Sequence, residues 1–241
     1  MTQGEPVQYV TIKEAIVEQI ASGMLSPRQK LPSERKLAES FDTTRVTLRE
    51  ALSLLESEGT IYREDRRGWF ISPTPLHYDP AQTLNFTNRA LAQNRVPKTE
   101  VVAAKSMLAN KQASSLLNLG PFANVIRVDR VRFLDQRPVV YVTHYMSPER
   151  FPNILDHDCS LSLTDIYREH YGVTYHKTQY RISSRSLIGE VAQSLRATSG
   201  TPAMVIERVN YHVNGDLIDC SIEYWRHDAI CISSVSELTQ F

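Results

Sequence analysis

Apolar residues recur at helical spacing in three short stretches near the start of the chain. Ser33 precedes the second stretch, and Thr43 or Thr44 precedes the third, where a side-chain oxygen can cap the first helical turn. The predicted apolar positions are Tyr9, Ile12, Ile16 and Ile20, then Leu37, Ala38 and Phe41, then Val46, Leu48, Ala51, Leu52 and Leu55. This pattern predicts three helices in close succession.

Two strands are expected directly after the third helix. Thr60 to Arg63 and Trp69 to Ser72 are rich in β-forming residues, and the charged turn 64–68 joins them. Three helices followed by a two-stranded hairpin are typical of a winged helix-turn-helix. We therefore assign residues 1–72 to a DNA-binding domain of that type.

The pattern changes after this hairpin. Three prolines punctuate residues 73–83, which we interpret as a linker. Residues 84–241 then alternate strand-like and helix-like segments, with clear hairpins over 125–145 and 203–226. The sequence predicts an α+β fold, in which the second domain is built around an antiparallel sheet.

Composition limits the function classes further. The 241 residues carry 27 basic and 27 acidic side chains, which argues against a general polyanion binder. The first domain is not basic overall either, so any DNA contact must rest on a few well-placed residues. No apolar run approaches the length of a membrane span, and no signal peptide is evident, so we expect a cytoplasmic protein without a membrane partner.

The chemistry of metals, cofactors and nucleophiles has no clear motif in the chain. Three cysteines (Cys159, Cys220 and Cys231) lack metal spacing and are expected to be free thiols. The seven histidines are scattered, and no nucleophile elbow is present. We expect no metal, no cofactor and no catalytic residue.

DNA-contacting candidates cluster at the start of the third helix and on the hairpin. A recognition helix uses its first residues on base edges and phosphates, and arginine reaches guanine through two hydrogen bonds. The alternative for any one arginine is a solvated surface charge. The candidates are Arg35, Thr44, Arg45, Thr47, Arg49, Arg66, Arg67 and Gly68.

The same stretch resembles the GntR family of bacterial transcription regulators. The matching segments are LPSERKLAESF, TTRVTLREAL, LESEGTIYR and RRGWFIS. In that family the positions that match Arg35, Thr44, Arg45, Thr47, Arg49 and Gly68 meet DNA. The resemblance also implies a homodimer that binds a palindromic operator in double-stranded DNA.

Two arginines share one face of a strand in the second domain. Along the segment 125–134, Arg130 and Arg132 lie on the face that also carries Ile and Val side chains. Buried arginines need anions. They could bind a small anionic ligand such as phosphate or phosphonate, or they could pair with Asp219 or Glu223; the strand alone does not decide.

The second domain resembles the effector-binding domain of the HutC subfamily of GntR regulators, which has a chorismate-lyase-like fold. The matching segments include PKTEVVAAKSML, NVIRVDRVRFLDQRPVVYVTHYMSPERFP, SLSLTDIYREHYGV and LIDCSIEYWRHD. The resemblance implies that a small anionic effector is held by Arg130, Arg132, Ser162, Thr164 and either Asn85 or Thr87. Thr164 replaces a common Tyr, and Asp219 falls where a Glu is common. Val142 replaces an acidic residue that contacts the effector in some members, which bears on sugar recognition.

The segments DTTRVTLRE, DRRGWF and IEYWRHD resemble regulators of phosphonate utilisation most closely. This resemblance implies 2-aminoethylphosphonate as the effector, with its anionic head on Arg130 and Arg132. Asp219 or Glu223, with Tyr224, would hold its ammonium tail. A sugar phosphate or a carboxylate metabolite is the alternative effector, and a chorismate-lyase-like enzyme is the remote alternative function.

The combined prediction is a ligand-responsive regulator, a repressor in the commoner arrangement of the subfamily. Effector binding would act through residues 73–83 to change the spacing of two recognition helices in the dimer.

Overall fold

The computed structural model describes residues 8–235. The predicted domain ends 1–7 and 236–241 lie outside these residues. The helices are α1 (Gln8–Ala21), α2 (Glu34–Ser40), α3 (Arg45–Ser57), α4 (Phe86–Leu91), α5 (Lys111–Leu117), α6 (Leu163–Tyr171) and α7 (Gly189–Ser194). The strands are β1 (Ile61–Glu64), β2 (Gly68–Ile71), β3 (Leu76–Tyr78), β4 (Pro97–Leu108), β5 (Asn124–Leu134), β6 (Arg137–Met146), β7 (Lys177–Ser186), β8 (Pro202–Tyr211), β9 (Leu217–Arg226) and β10 (Ile230–Ile232).

The first three helices and the β1–β2 hairpin pack around one small core. Ser33 Oγ accepts from Lys36 N and Thr44 Oγ1 accepts from Thr47 N, so both predicted caps fix the starts of α2 and α3. The face of α3 that carries Leu48, Ala51, Leu52 and Leu55 is fully buried, as its spacing predicts.

Val46 was predicted to pack in this core, and that prediction is wrong. Val46 is 69% exposed, because it lies only two residues before Leu48 and therefore on the opposite side of the helix. An apolar side chain thus faces solvent in the first turn of α3.

Six strands form the antiparallel sheet of the second domain, in the order β4-β5-β6-β9-β8-β7. Helices α4 and α6 cover one face, and α5 and α7 cover the other. The predicted α+β fold with an antiparallel sheet is confirmed.

The segment predicted as a linker contains a strand. Leu76–Tyr78 forms β3, which pairs in parallel with β10, so Leu76 lies beside Ile230 and Tyr78 beside Ile232. A strand was expected over residues 230–235, at the edge of the main sheet. The strand formed there, β10, has three residues and pairs with β3 instead of with the main sheet.

Within residues 8–235, no helix is both long enough and apolar enough to span a bilayer.

Candidate functional site

An open concavity of about 470 Å³ lies between the hairpin and the starts of α2 and α3. It is lined by six basic side chains and by one acidic side chain, that of Glu34. The basic residues are Lys30, Arg35, Arg45, Arg63, Arg66 and Arg67. A domain without a net positive charge therefore gathers its positive charge on one concave surface, which suits a polyanion.

Two arginines of this surface, Arg35 and Arg66, extend into solvent, whereas Arg67 donates to Glu64 and Arg63 lies over the Trp69 ring. The side chains of Arg66 and Arg35 are 93% and 66% exposed, and their ion pairs with Asp65 and Glu39 span 3.8 Å. Exposed pairs of this length hold a side chain weakly. These guanidinium groups can exchange such partners for phosphate oxygens.

Glu34 organises the centre of the surface. Its carboxylate accepts from Arg49 Nε at 2.8 Å and from Trp69 Nε1 at 3.2 Å. Burial raises the pKa of Glu34, but the bonds from Arg49 and Trp69 outweigh it and the pKa is lowered overall. An ionised Glu34 thus connects the recognition helix to the hairpin and orients Arg49.

The two threonines at the start of α3 act first as local caps. Thr44 Oγ1 accepts from Thr47 N at 3.2 Å and lies 3.0 Å from Thr47 Oγ1. Arg45 and Val46 are exposed in the same turn. Lys30 and Arg63 were missed from the sequence; the outward alternation of Arg63 on β1 was a usable signal, whereas Lys30 lies in a loop.

The tip of the hairpin takes left-handed backbone conformations. Gly68 has φ +101°, and Arg66 has φ +58°. A side chain at position 68 would be strained, since few L residues adopt that region. Asp65 N donates to Arg196 O of the second domain at 2.9 Å, so the tip also touches that domain.

A buried polar cluster joins the two domains; we call Tyr62, Glu64, Arg137, Arg226 and Asp228 the interdomain cluster. Arg137 Nη2 donates to Asp228 Oδ2 at 2.6 Å, and the Arg137 guanidinium lies 3.5 Å from the centre of the Tyr62 ring. Arg226 Nη2 donates to the carbonyl oxygen of Arg63 at 2.9 Å. All five residues are at most 5% exposed, so this contact between the domains is buried.

The second domain encloses a narrow cavity of about 40 Å³ beneath the starts of α4 and α6. The structure brings six of the predicted effector residues to this cavity: Asn85, Thr87, Arg130, Arg132, Ser162 and Thr164. Thr99, His144, Tyr175 and Arg208 also line it and were not predicted.

Arg130 lies at the floor of the cavity and is 2% exposed. Its Nη1 donates to the carbonyl oxygens of Cys159 and Leu161, and its Nη2 lies 2.7 Å from His144 Nε2. Burial, together with the nearby charge of Arg132, lowers the pKa of Arg130 to about 9. Arg130 therefore holds the loop before α6 while adding positive charge to the cavity.

His144 is neutral in this setting. Burial, followed by the charges of Arg130 and Arg132, lowers the pKa of His144 well below its ordinary 6.5. Its Nε2 can then accept from Arg130, which leaves the proton on Nδ1.

The helix starts supply neutral donors beside these arginines. Ser162 caps α6 through Asp165 N, and Asn85 caps α4 through Asn88 N. Asn85 Nδ2 also donates to Ser162 Oγ at 3.3 Å and to Asp165 Oδ2 at 3.1 Å. Two helix N-termini and their caps thus converge on one cavity, and such ends favour anions.

Two predicted effector residues do not join this group. Asp219 is 1% exposed and accepts from the Tyr167 and Tyr175 hydroxyls and from Asn210 Nδ2. Tyr224 lies on the opposite face of the sheet, among the side chains packed under α5 and α7. The alternation of β9 places Tyr224 there, because Glu223 and Trp225 take the cavity face.

A winged helix-turn-helix with a basic concavity, joined to a domain with a cationic cavity, defines a ligand-responsive DNA-binding protein. Residues 8–71 match the gntR family of bacterial regulatory proteins, and residues 92–230 match the UTRA domain. The chain belongs to the gntR-type regulators that carry a UTRA domain, and it is a DNA-binding transcription regulator. The predicted family and fold class are confirmed.

Relatives match along almost the whole chain. The uncharacterized HTH-type transcriptional regulator YihL of Escherichia coli is 28% identical over 221 residues, which cover 90% of this chain and 93% of YihL. The HTH-type transcriptional repressor NagR of Bacillus subtilis is 25% identical over 220 residues, which cover 91% of this chain and 90% of NagR.

Solved structures share the fold. The crystal structure of PhnF from Mycobacterium smegmatis superposes with a TM-score of 0.66 at 23% identity, covering 95% of this chain and all of that chain. The possible transcriptional regulator YydK from Bacillus subtilis gives a TM-score of 0.59 at 20% identity, with 96% of this chain and 100% of YydK covered.

Proposed function

We propose that this regulator is a homodimeric repressor that leaves its palindromic operator when a small metabolite with a phosphoryl or phosphonyl group binds the second domain. The convergence of Arg130, Arg132 and two helix N-termini on one cavity carries the proposal. A phosphoryl group offers several acceptor oxygens to such donors, and arginine binds it by paired hydrogen bonds. NagR, which aligns along most of the chain, is named as a repressor.

The DNA-binding half of the proposal rests on the basic concavity. Arg45 in the concavity and Arg49, which lies outside it beside Val46, would meet base edges. Arg35, Arg66 and Arg67 would meet phosphates, and Thr44 and Thr47 would support the first turn of α3. Gly68 permits close approach of the hairpin to the minor groove. Exposed Val46 adds an apolar side chain that suits a thymine methyl group.

2-Aminoethylphosphonate is the specific effector that the sequence resemblance implies, and its dianionic head suits these donors. The residues expected to hold its ammonium tail fit less well. Asp219 already accepts three hydrogen bonds, Tyr224 faces away, and Glu223 accepts from Trp225 Nε1 and lies beside Arg132 and Arg208. Sugar phosphates and carboxylate metabolites are the alternatives.

Two variants test the division of labour between the domains. Arg45→Ala should abolish binding to the DNA upstream of the regulated genes while calorimetry still detects effector binding. Arg130→Ala should bind that DNA normally and should not be released by 2-aminoethylphosphonate, glucose 6-phosphate or inorganic phosphate, whichever releases the wild type.

Arg130 also holds a loop, so Arg132→Gln serves as a second variant of the cavity. Circular dichroism checks that each variant is folded. If both cavity variants respond to the releasing compound as the wild type does, the proposed anion site is wrong.

A further inference from the structure

Arg208 adds a third guanidinium to the cavity from a distant part of the chain. It lies on β8, where it pairs with Ser221 of β9, which in turn pairs with His144 of β6. Side chains in one row across a sheet point to the same face. Arg208 therefore faces the same space as Arg130 and Arg132 of β5.

Arg132 and Arg208 differ from Arg130 in having no protein acceptor. Within residues 8–235, neither guanidinium donates a hydrogen bond or forms an ion pair, and Arg208 Nε is buried without a partner. Buried arginine donors are normally satisfied, since an unmet charged donor is costly. The donors of two guanidiniums are thus available to a ligand.

Glu223 is the carboxylate that balances these two arginines. Together with Arg132 and Arg208 it lines a small void on the same face of the sheet, and its own carboxylate accepts from Trp225 Nε1 at 2.8 Å. Burial lowers the pKa of Arg208, but Glu223 together with Tyr175, Tyr78 and Asp219 outweighs burial and the pKa is raised overall. Glu223 and Asp219 are thus two carboxylates near three guanidiniums, those of Arg130, Arg132 and Arg208, and positive charge remains for the ligand to neutralise.

A second cavity of about 430 Å³ adjoins the narrow one. The two share four residues, Asn85, Thr164, Tyr175 and Arg208, so Arg208 stands at their junction. Among the described residues that line the larger cavity, Arg89, Arg168 and Arg208 are charged and none is acidic. Arg168 is already paired with Asp165 and Glu169, and Arg89 donates to backbone carbonyl oxygens. Within residues 8–235, Arg208 is therefore the arginine of this cavity whose donors remain available to a group that extends from the anionic head.

We propose that Arg208 is a specificity-determining residue that binds a second anionic group of the effector, a carboxylate. The effector class is then a phosphonate or phosphate ester that also carries a carboxylate. This inference rests on the proposed function, because it assumes that the head occupies the Arg130 and Arg132 end of the cavity.

Three phosphonates with matched heads test the charge of the tail. Calorimetry would compare 3-phosphonopropionate (anionic tail), ethylphosphonate (neutral tail) and 2-aminoethylphosphonate (cationic tail) on the full chain. We expect 3-phosphonopropionate to bind at least about tenfold more tightly than ethylphosphonate, as one charge-assisted arginine contact would give, and 2-aminoethylphosphonate to bind most weakly.

Arg208→Gln should remove the advantage of 3-phosphonopropionate while leaving the affinity for ethylphosphonate within about threefold. Arg208→Lys should restore part of that advantage, since it returns the charge without the paired donors. The matched control is Arg185→Gln, which removes an exposed arginine from the neighbouring strand β7.

The outcomes separate the two proposals. Equal binding of the three compounds, or a preference for the ammonium tail, overturns the role of Arg208 and leaves the anion site standing. If the wild type binds none of the three, and neither glucose 6-phosphate nor inorganic phosphate binds or releases the DNA, the proposed function fails together with this inference.

Discussion

Asp228 is a buried carboxylate that contacts both domains and two arginines. It accepts from Arg137 Nη2 at 2.6 Å and from Ser72 Oγ at 3.2 Å, and its other oxygen lies 3.5 Å from Arg226 Nε. Burial raises the pKa of Asp228, but Arg137 and Arg226 outweigh it and the pKa is held below the ordinary 3.8. The carboxylate is thus ionised at neutral pH and compensates two buried guanidiniums.

Asp228→Asn should lower the free energy of unfolding at neutral pH by roughly 3 kcal/mol or more, because it leaves buried arginines without their anion. A depressed pKa stabilises the fold fully above 3.8 and loses that contribution as the pH falls through the folded value. The difference between variant and wild type should therefore shrink below pH 3.8. Urea unfolding across this range measures it.

Asp42→Asn is the matched control, since Asp42 is exposed and asparagine accepts its left-handed backbone. A difference at Asp228 that stays constant with pH would contradict the assignment of its charge.

Single residues were predictable where they belong to a local pattern. Arg45, Arg49 and the hairpin arginines follow from helix and strand periodicity, and Arg130 and Arg132 follow from strand alternation. Arg208 could not be found in this way, because it stands alone on β8 and meets the other arginines only across three strands. Tyr224 was assigned to the cavity by resemblance although its position in β9 favours the other face.

Strand β1 serves both domains. Its Arg63 faces the basic concavity, whereas Tyr62 packs beneath the guanidiniums of Arg137 and Arg226, at 3.5 and 5.3 Å from the ring centre. Arg137 begins β6, directly after the turn that ends β5 and its cavity arginines. The β5–β6 hairpin therefore links the narrow cavity of the second domain to the β1–β2 hairpin of the first.

Tyr62→Leu should weaken the effect of effector on operator affinity while each ligand alone still binds. Leucine fills apolar space but loses the cation–π contacts, which contribute about 1–2 kcal/mol when desolvated. A gel-shift titration with and without the releasing compound measures this coupling, and a reduction of roughly fivefold or more is expected.

Phe70→Leu is the control for this experiment, because Phe70 stacks on Tyr62 at 5.4 Å from the neighbouring strand β2. If only the Phe70 variant loses the effect of effector on operator affinity, Tyr62 does not connect the two domains in the way proposed.

Elements were predicted well where their signals are local. The caps at Ser33 and Thr44 and the turn at Asn214-Gly215 lie where sequence chemistry places them. The pairing of β3 with β10 was missed because its partners are about 150 residues apart and each strand has only three residues. The prolines near β3 also favoured a linker.

At the scale of the whole molecule, a near-neutral chain must bind a polyanion. One basic concavity with five exposed arginines gives a limited number of phosphate contacts, so a single winged helix is expected to bind weakly. In the proposed dimer, two copies on one palindrome would gain affinity by effective concentration.

Cutting the operator to a single half-site should weaken binding by at least about a hundredfold. Fluorescence anisotropy with full and half-site duplexes of equal length measures this, with a scrambled duplex as the control. Binding to the half-site within a few-fold of the full operator would show that one copy suffices and would remove the proposed need for a dimer.

The pairing of β3 with β10 sets the length of the tether between the domains. Ser72 N donates to Thr60 O at 3.0 Å within the first domain, and Leu76 is fixed beside Ile230 in the second, so only residues 73–75 connect the two attachment points. The four Cα steps from Ser72 to Leu76 span about 14 Å at most. If the interdomain cluster opens, the winged helix can rotate about residues 73–75, but its distance from the second domain stays limited by their length. The angle between the two domains then sets the half-site spacing that the proposed dimer accepts with and without effector. Inserting glycines into residues 73–75 should reduce the difference between those two spacings.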